Sequence, residues 1–205
     1  HIDRAWDYCK NANMWRITDD FWDTWELLVP MFWRCELWQD HVKEGCFPDC
    51  DMLPFGKLGK GFGEERDTRL TKDEQKTVMT LWTFFRSPLM VGAELTKLDD
   101  WTLSMLQNKR LIDRMKATCH GEQVCRNDEM AVWKNKDSAD GSICVALFNL
   151  TEEEKEISVA LDEVEDGLAD CRLTELWDQT KSQTVGGSIT ATVPAHGVKA
   201  FQLEH

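Results

Sequence analysis

The period of the apolar positions changes along this 205-residue chain, and the changes mark its elements. Ala5, Trp6, Cys9 and Ala12 lie along one side of a helical repeat and predict the tail of a helix over residues 3–11. Residues 14–20 read as a short strand up to Thr18. From there Phe21, Trp25, Leu28 and Phe32 recur at helical spacing, predicting a largely buried helix over residues 21–38. Pro30 falls in its interior, where it is expected to kink or interrupt the helix. Residues 45–54 form a second strand candidate, acidic and ending in a turn. Thr71 and Glu74 make a capping box that opens a helix to about residue 86, and Pro88 stops it. Residues 89–92 read as a short buried strand, and Asp99 or Asp100 caps a helix to about residue 107, with a further helical segment through 115. Strand, helix, strand, helix, strand, helix is the alternation of a parallel sheet with helical crossovers.

Beyond about residue 116 the period shortens. Residues 131–133, 142–150, 156–161, 171–177, 189–194 and 198–203 are short alternating runs, and Asp140-Gly141, Asp166-Gly167 and Gly186-Gly187 supply turns between them. The expected fold is thus α/β followed by all-β, the second part a small antiparallel sandwich. Leu203-Glu204-His205 resembles a cloning scar leading into a histidine tag and is left out of the functional reading.

A formal net charge of −13 argues against nucleic acid and an anionic membrane surface, which require clustered Lys and Arg. No apolar run approaches the ~20 residues that span a bilayer. Gly56 to Gly63 lacks the Lys and Ser/Thr of a phosphate loop and reads as a flexible loop. Ten tryptophans accompany a single tyrosine; tryptophan faces stack on sugars, but most are expected in the core. Eight cysteines lack the tight spacing of a zinc knuckle. Cys35, His41, Cys46 and Cys50 could make a metal site only by convergence in space, and reduced, mostly buried thiols are the expectation. With no secretion signal at its first residues, the chain is expected to be cytoplasmic.

Candidate chemistry concentrates at the ends of the first two strands. Arg16, Thr18 and Asp20 share one parity, and an ideal strand would hold Arg16 and Asp20 roughly 13 Å apart, beyond a direct ion pair. Two parts of one ligand would fit that gap. Asp20 with Asp23 also suits a helix N-cap with an acidic first turn, the reading that spacing alone favours over catalysis. Asp49 and Asp51 likewise share a parity and can face one site or simply form a solvated acidic loop.

Four segments then occur in order: Trp15-Arg16-Ile17-Thr18-Asp19-Asp20-Phe21-Trp22-Asp23, Pro48-Asp49-Cys50-Asp51-Met52-Leu53, Arg86-Ser87-Pro88-Leu89-Met90 and Pro194-Ala195-His196-Gly197-Val198. Together they resemble the carboxyl-terminal portion of a family 27 glycoside hydrolase, the α-galactosidase and α-N-acetylgalactosaminidase group, and are similar to its bacterial members. The resemblance implies that residues 1–116 are the last three β/α units of a (β/α)8 barrel and that 117–205 form its antiparallel β-sandwich. It also implies a retaining mechanism, with two carboxylates about 5–5.5 Å apart flanking the scissile bond.

On that resemblance Asp20 is the general acid/base, Arg16 a sugar-hydroxyl ligand, and Asp51 and Met52 line the sugar pocket. The family's nucleophile lies on the fourth barrel strand, upstream of these residues, as do the acidic pair on strand two and the loop after strand five that selects the sugar. Phe47 stands where the family usually has tryptophan, and Cys50 where a small residue is usual. The expected partners are an α-galactoside-type carbohydrate and either the remaining barrel half or a second copy covering the open sheet edges, with no metal or cofactor. The chain by itself is then expected not to hydrolyse α-galactosides. A noncatalytic carbohydrate-binding or scaffold protein is the alternative, and an independent enzyme pairing Asp20 with Asp49 or Asp51 ranks third.

Overall fold

A computed structural model describes residues 1–59 and 63–204; residues 60–62, in the glycine-rich loop of the sequence, and His205 lie outside the described residues. The first part runs α1 (Ala5–Asn11), β1 (Met14–Arg16), α2 (Trp25–Trp38), β2 (Phe47–Asp49), the hairpin strands β3 (Lys57–Leu58) and β4 (Arg66–Asp67), α3 (Lys72–Phe85), α4 (Asp100–Leu106) and α5 (Lys109–Ile112). β1 and β2 pair in parallel, with Arg16 opposite Asp49. A single parallel bridge, Leu53 to Val91, continues the order to a third segment.

The expected capping box is present: the Thr71 hydroxyl accepts from the Glu74 N–H, and the Glu74 carboxylate accepts from the Thr71 N–H. Asp99 caps α4 by accepting from the Thr102 N–H. Other expectations are corrected. α2 begins at Trp25 rather than Phe21, because Phe21 is drawn into the core against Trp82, at 5.0 Å between rings, and its N–H is taken by Asp51. α2 runs through Pro30 without interruption, and it is not largely buried: Val29, Trp33 and Leu37 form an exposed stripe at i, i+4 and i+8. Residues 89–92 make one bridge instead of a strand, and Met90 is exposed.

The second part is all antiparallel. β5 (Cys119–Arg126), β6 (Met130–Asp137), β7 (Ile143–Asn149), β8 (Lys155–Ala160), the single turn α6 (Leu161–Val164), β9 (Arg172–Glu175), β10 (Lys181–Gln183), β11 (Ser188–Val193) and β12 (Val198–Glu204) follow in sequence. Six strands form one sheet in the order β10-β9-β12-β7-β6-β5, and β11-β8 form a two-stranded sheet. Every residue of β7 is buried, because the large sheet is covered on both faces. Cys144, Ala146 and Phe148 point to the helices, where Phe148 meets Phe32 edge-on at 5.0 Å. Val145 and Leu147 face Ile157, Val159 and Ile189 of the small sheet. Leu203 and Glu204, left out of the functional reading, complete β12: Leu203 is buried and Glu204 accepts from the Thr174 hydroxyl.

Four of the ten tryptophans are buried, Trp15, Trp38, Trp82 and Trp133, whereas Trp6 and Trp33 are exposed. All eight cysteines are free thiols. The four residues considered for a metal separate into pairs with other neighbours. Cys35 and Cys50 lie sulfur to sulfur at 3.6 Å, Cys46 donates to the Cys9 carbonyl, and His41 packs edge-on against Trp38.

The loop before β12 locks the two parts together. His196 stacks flat on Trp25 at 3.9 Å, its Nδ1 donates to the capping-box Glu74, and its carbonyl accepts from Thr77. Its Nε2 lies 3.2 Å from a Glu152 oxygen, without hydrogen-bond alignment. Asparagine tolerates the left-handed backbone that His196 adopts at φ 56°, so His196→Asn isolates the side-chain contacts. That variant should unfold in urea with stability lower by about 1–3 kcal/mol; an unchanged midpoint would contradict the latch.

Candidate functional site

The parallel register sets Arg16 opposite Asp49 at the carboxyl ends of β1 and β2, and the chain continues from Asp49 to Asp51 through a left-handed turn, φ 75° at Asp51. Arg16 Nε lies 3.4 Å from Asp49 Oδ2, and its Nη1 lies 2.7 Å from Asp51 Oδ2. Both carboxylates are buried while Arg16 is partly exposed, so the guanidinium closes the acidic pair from the solvent side. The remaining lone pairs are largely spent on backbone. Asp49 Oδ1 accepts from the Asp51 N–H, Asp51 Oδ1 from the Met52 N–H, and Asp51 Oδ2 from the Phe21 N–H at 2.8 Å. An independent enzyme pairing Asp20 with either group loses support here, since carboxylates so engaged are poor nucleophiles.

Asp20 stands in the loop after β1, its side chain 88% exposed, with Oδ1 3.8 Å from Arg16 Nη1. The separation expected from an ideal strand is therefore wrong, because β1 ends at Arg16 and the loop folds back over the guanidinium. Arg16, Asp20, Asp49 and Asp51 thus form one cluster. Met52 follows directly and lies against Gly92, where an added Cβ would sit 2.3 Å from its sulfur. Met52, Gly92 and Trp22 share a cavity of about 240 Å³ beside the strand ends.

Sequence reasoning missed the group that holds this loop. Asp20 does not cap α2, nor does Asp23 lie in its first turn; Thr24 occupies the cap position and Glu26 the first turn. Asp23 is instead buried and takes both terminal nitrogens of Arg66 and the N–H of Arg69. The partners are 43 residues apart, and no local pattern announces them. Burial pushes the Asp23 carboxyl up, but the Arg66 and Arg69 bonds outweigh it and hold the group below its ordinary 3.8. The stabilisation is therefore fully present above about pH 3.8 and is lost as the pH falls through the lowered folded value. Among the described residues, no group of three or more His, Cys, Asp or Glu side chains could hold a metal ion, and no helix is long and apolar enough to cross a membrane.

Comparison with known proteins places these features. Residues 4–116 match the family described as Alpha galactosidase A, and residues 127–203 match the Alpha galactosidase C-terminal beta sandwich domain. The solved β-L-arabinopyranosidase of glycoside hydrolase family 27 from Geobacillus stearothermophilus is 40% identical. It superposes with a TM-score of 0.93 over 100% of this chain and 48% of that one. The same enzyme has also been solved in complex with arabinose. A putative α-N-acetylgalactosaminidase from Bacillus halodurans is 39% identical with a TM-score of 0.81, over 92% of this chain and 46% of its own. Alpha-galactosidase 2 of Arabidopsis thaliana is 25% identical over 94% of this chain and 46% of that protein. This chain belongs to glycoside hydrolase family 27, the α-galactosidase family, and carries its C-terminal β-sandwich. It spans about half the length of the relatives it matches.

Arg66→Met should strand the Asp23 carboxylate. Loss of a fully buried pair costs about 3–5 kcal/mol, and because Arg66 is one-third exposed a smaller loss, about 2 kcal/mol, is expected from denaturant unfolding at pH 7. The deficit should shrink below pH 4; one that is flat from pH 7 to 3 would contradict the assignment.

Proposed function

We propose that this chain is the acid/base half of a retaining glycosidase site: residues 1–116 are the last three β/α units of a (β/α)8 barrel and 117–205 its β-sandwich domain. Asp20 protonates the departing glycosidic oxygen and then, as a base, activates the water that releases the sugar. Arg16, Asp51 and Met52 bind the sugar ring, Arg16 by donating to a hydroxyl.

The observation that carries the reading is the cluster itself. One exposed carboxylate stands beside an arginine that two buried carboxylates already hold in position. A proton donor must reach a substrate oxygen, and Asp20 has no hydrogen-bond partner that would have to be displaced among the described residues. The exposed stripe of Val29, Trp33 and Leu37 supports further barrel units packed against α2.

The nucleophile belongs to the part of the family's barrel outside this chain, so the chain by itself does not complete a double displacement. The substrate class is an α-D-galactoside or a β-L-arabinopyranoside; these share ring stereochemistry and differ by the C5 hydroxymethyl group. A family 27 neighbour acts on the latter by name.

With the remaining barrel supplied, Asp20→Asn should lower kcat on a natural galactoside by about 10²–10⁴-fold. Azide should restore turnover of an aryl glycoside with a good leaving group, because the small anion needs no base. Turnover by this chain alone that Asp20→Ala abolishes would contradict the proposal.

A further inference from the structure

A second cavity, about 430 Å³, opens between the carboxyl end of α3 and strands β5 and β6, and its lining is rich in cations: Arg86, Lys43, Lys134 and Lys136. Most of that charge is neutralised locally. Lys134 pairs with Glu122 at 2.7 Å and with Glu165 at 3.0 Å, and Lys136 pairs with Glu165. Glu44 also borders the cavity, near Lys43.

Arg86 is the buried exception. It is 3% exposed, its Nε is buried without a hydrogen-bond partner, and among the described residues no carboxylate or carbonyl accepts from its guanidinium. Burying an arginine without an acceptor is costly, and native structures rarely leave one so. The backbone adds a second anomaly. Arg86 sits at the C-cap of α3 in the left-handed region, φ 66°, where glycine or asparagine is the easy choice. A long cationic side chain is thus kept at a position that disfavours it, and it lines a cavity in the size range of small-ligand sites.

We propose that Arg86 anchors a binding site for a small molecule bearing a carboxylate or phosphate group, held in this cavity. The guanidinium presents paired donors in the plane that an oxyanion matches, so two hydrogen bonds satisfy the orphaned cation. Lys43, exposed at the rim, supplies a second positive charge without a structural role in the core. Because the lining joins α3 to β5 and β6, occupancy would also brace the helical part against the sheet.

Acetate and inorganic phosphate serve as probes, titrated by calorimetry at constant ionic strength against a chloride control. The proposal expects saturable binding of at least one of them, acetate alone marking a carboxylate site and phosphate a phosphate site. Arg86→Met should weaken it at least tenfold and Lys43→Glu several-fold. Should Arg86→Met not fold, the Arg86 Nε–H resonance of the unaltered protein provides the second readout, shifting with the same titration. No saturable binding beyond chloride, or binding that leaves that resonance and both variants unaffected, would overturn the proposal.

Discussion

The site depends on one constraint: a guanidinium at the end of β1 must neutralise two carboxylates buried at the end of β2. Left unpaired, either carboxylate would carry a large desolvation cost. Paired, they fix the backbone around them, because their remaining lone pairs accept from the Asp51, Met52 and Phe21 N–H groups. The Phe21 bond matters most. It ends β1 early, turns the chain back over Arg16 and leaves Asp20 in solvent above the cluster, while Phe21 itself is anchored on Trp82. Trp82 in turn donates to the Asp51 carbonyl, so the core of α3 and the acidic turn support one another.

Around this centre the molecule is arranged in layers. The helices rest on one face of the six-stranded sheet through Phe32, Phe85, Trp133 and Phe148, and the two-stranded sheet covers the other face. The family's β-sandwich is therefore more than an appendage here. Its His196 loop reaches the capping box of α3 and the first turn of α2, the helix that follows the Asp20 loop. Asp23 and Arg66 secure the same loop from the side of the β3–β4 hairpin.

Much of this was legible in the sequence where the signal is local. The capping box at Thr71 and Glu74, the cap at Asp99 and the alternating runs of β6 to β9, β11 and β12 all rest on neighbours within a few residues. The four segments that resemble family 27 pointed to Arg16, Asp20, Asp51 and Met52. Signals that depend on distant partners were not readable. Parity along an ideal strand put Arg16 and Asp20 apart because nothing near Phe21 shows that Asp51, 30 residues on, would take its N–H. The Asp23–Arg66 pair failed for the same reason. β5 was missed because its apolar alternation is weak; its Gly121 is required by the Phe84 carbonyl, which a Cβ would meet at 1.8 Å. β10 was missed because all three of its residues are exposed.

The most direct test is a crystal structure of the protein, together with the barrel units proposed to complete it, bound to galactose or arabinose. The account predicts that ring hydroxyls contact Arg16 and Asp51, and that the Asp20 carboxylate lies within about 3 Å of the anomeric oxygen. A sugar seated away from the β1 and β2 strand ends, or one whose anomeric oxygen Asp20 does not reach, would contradict it.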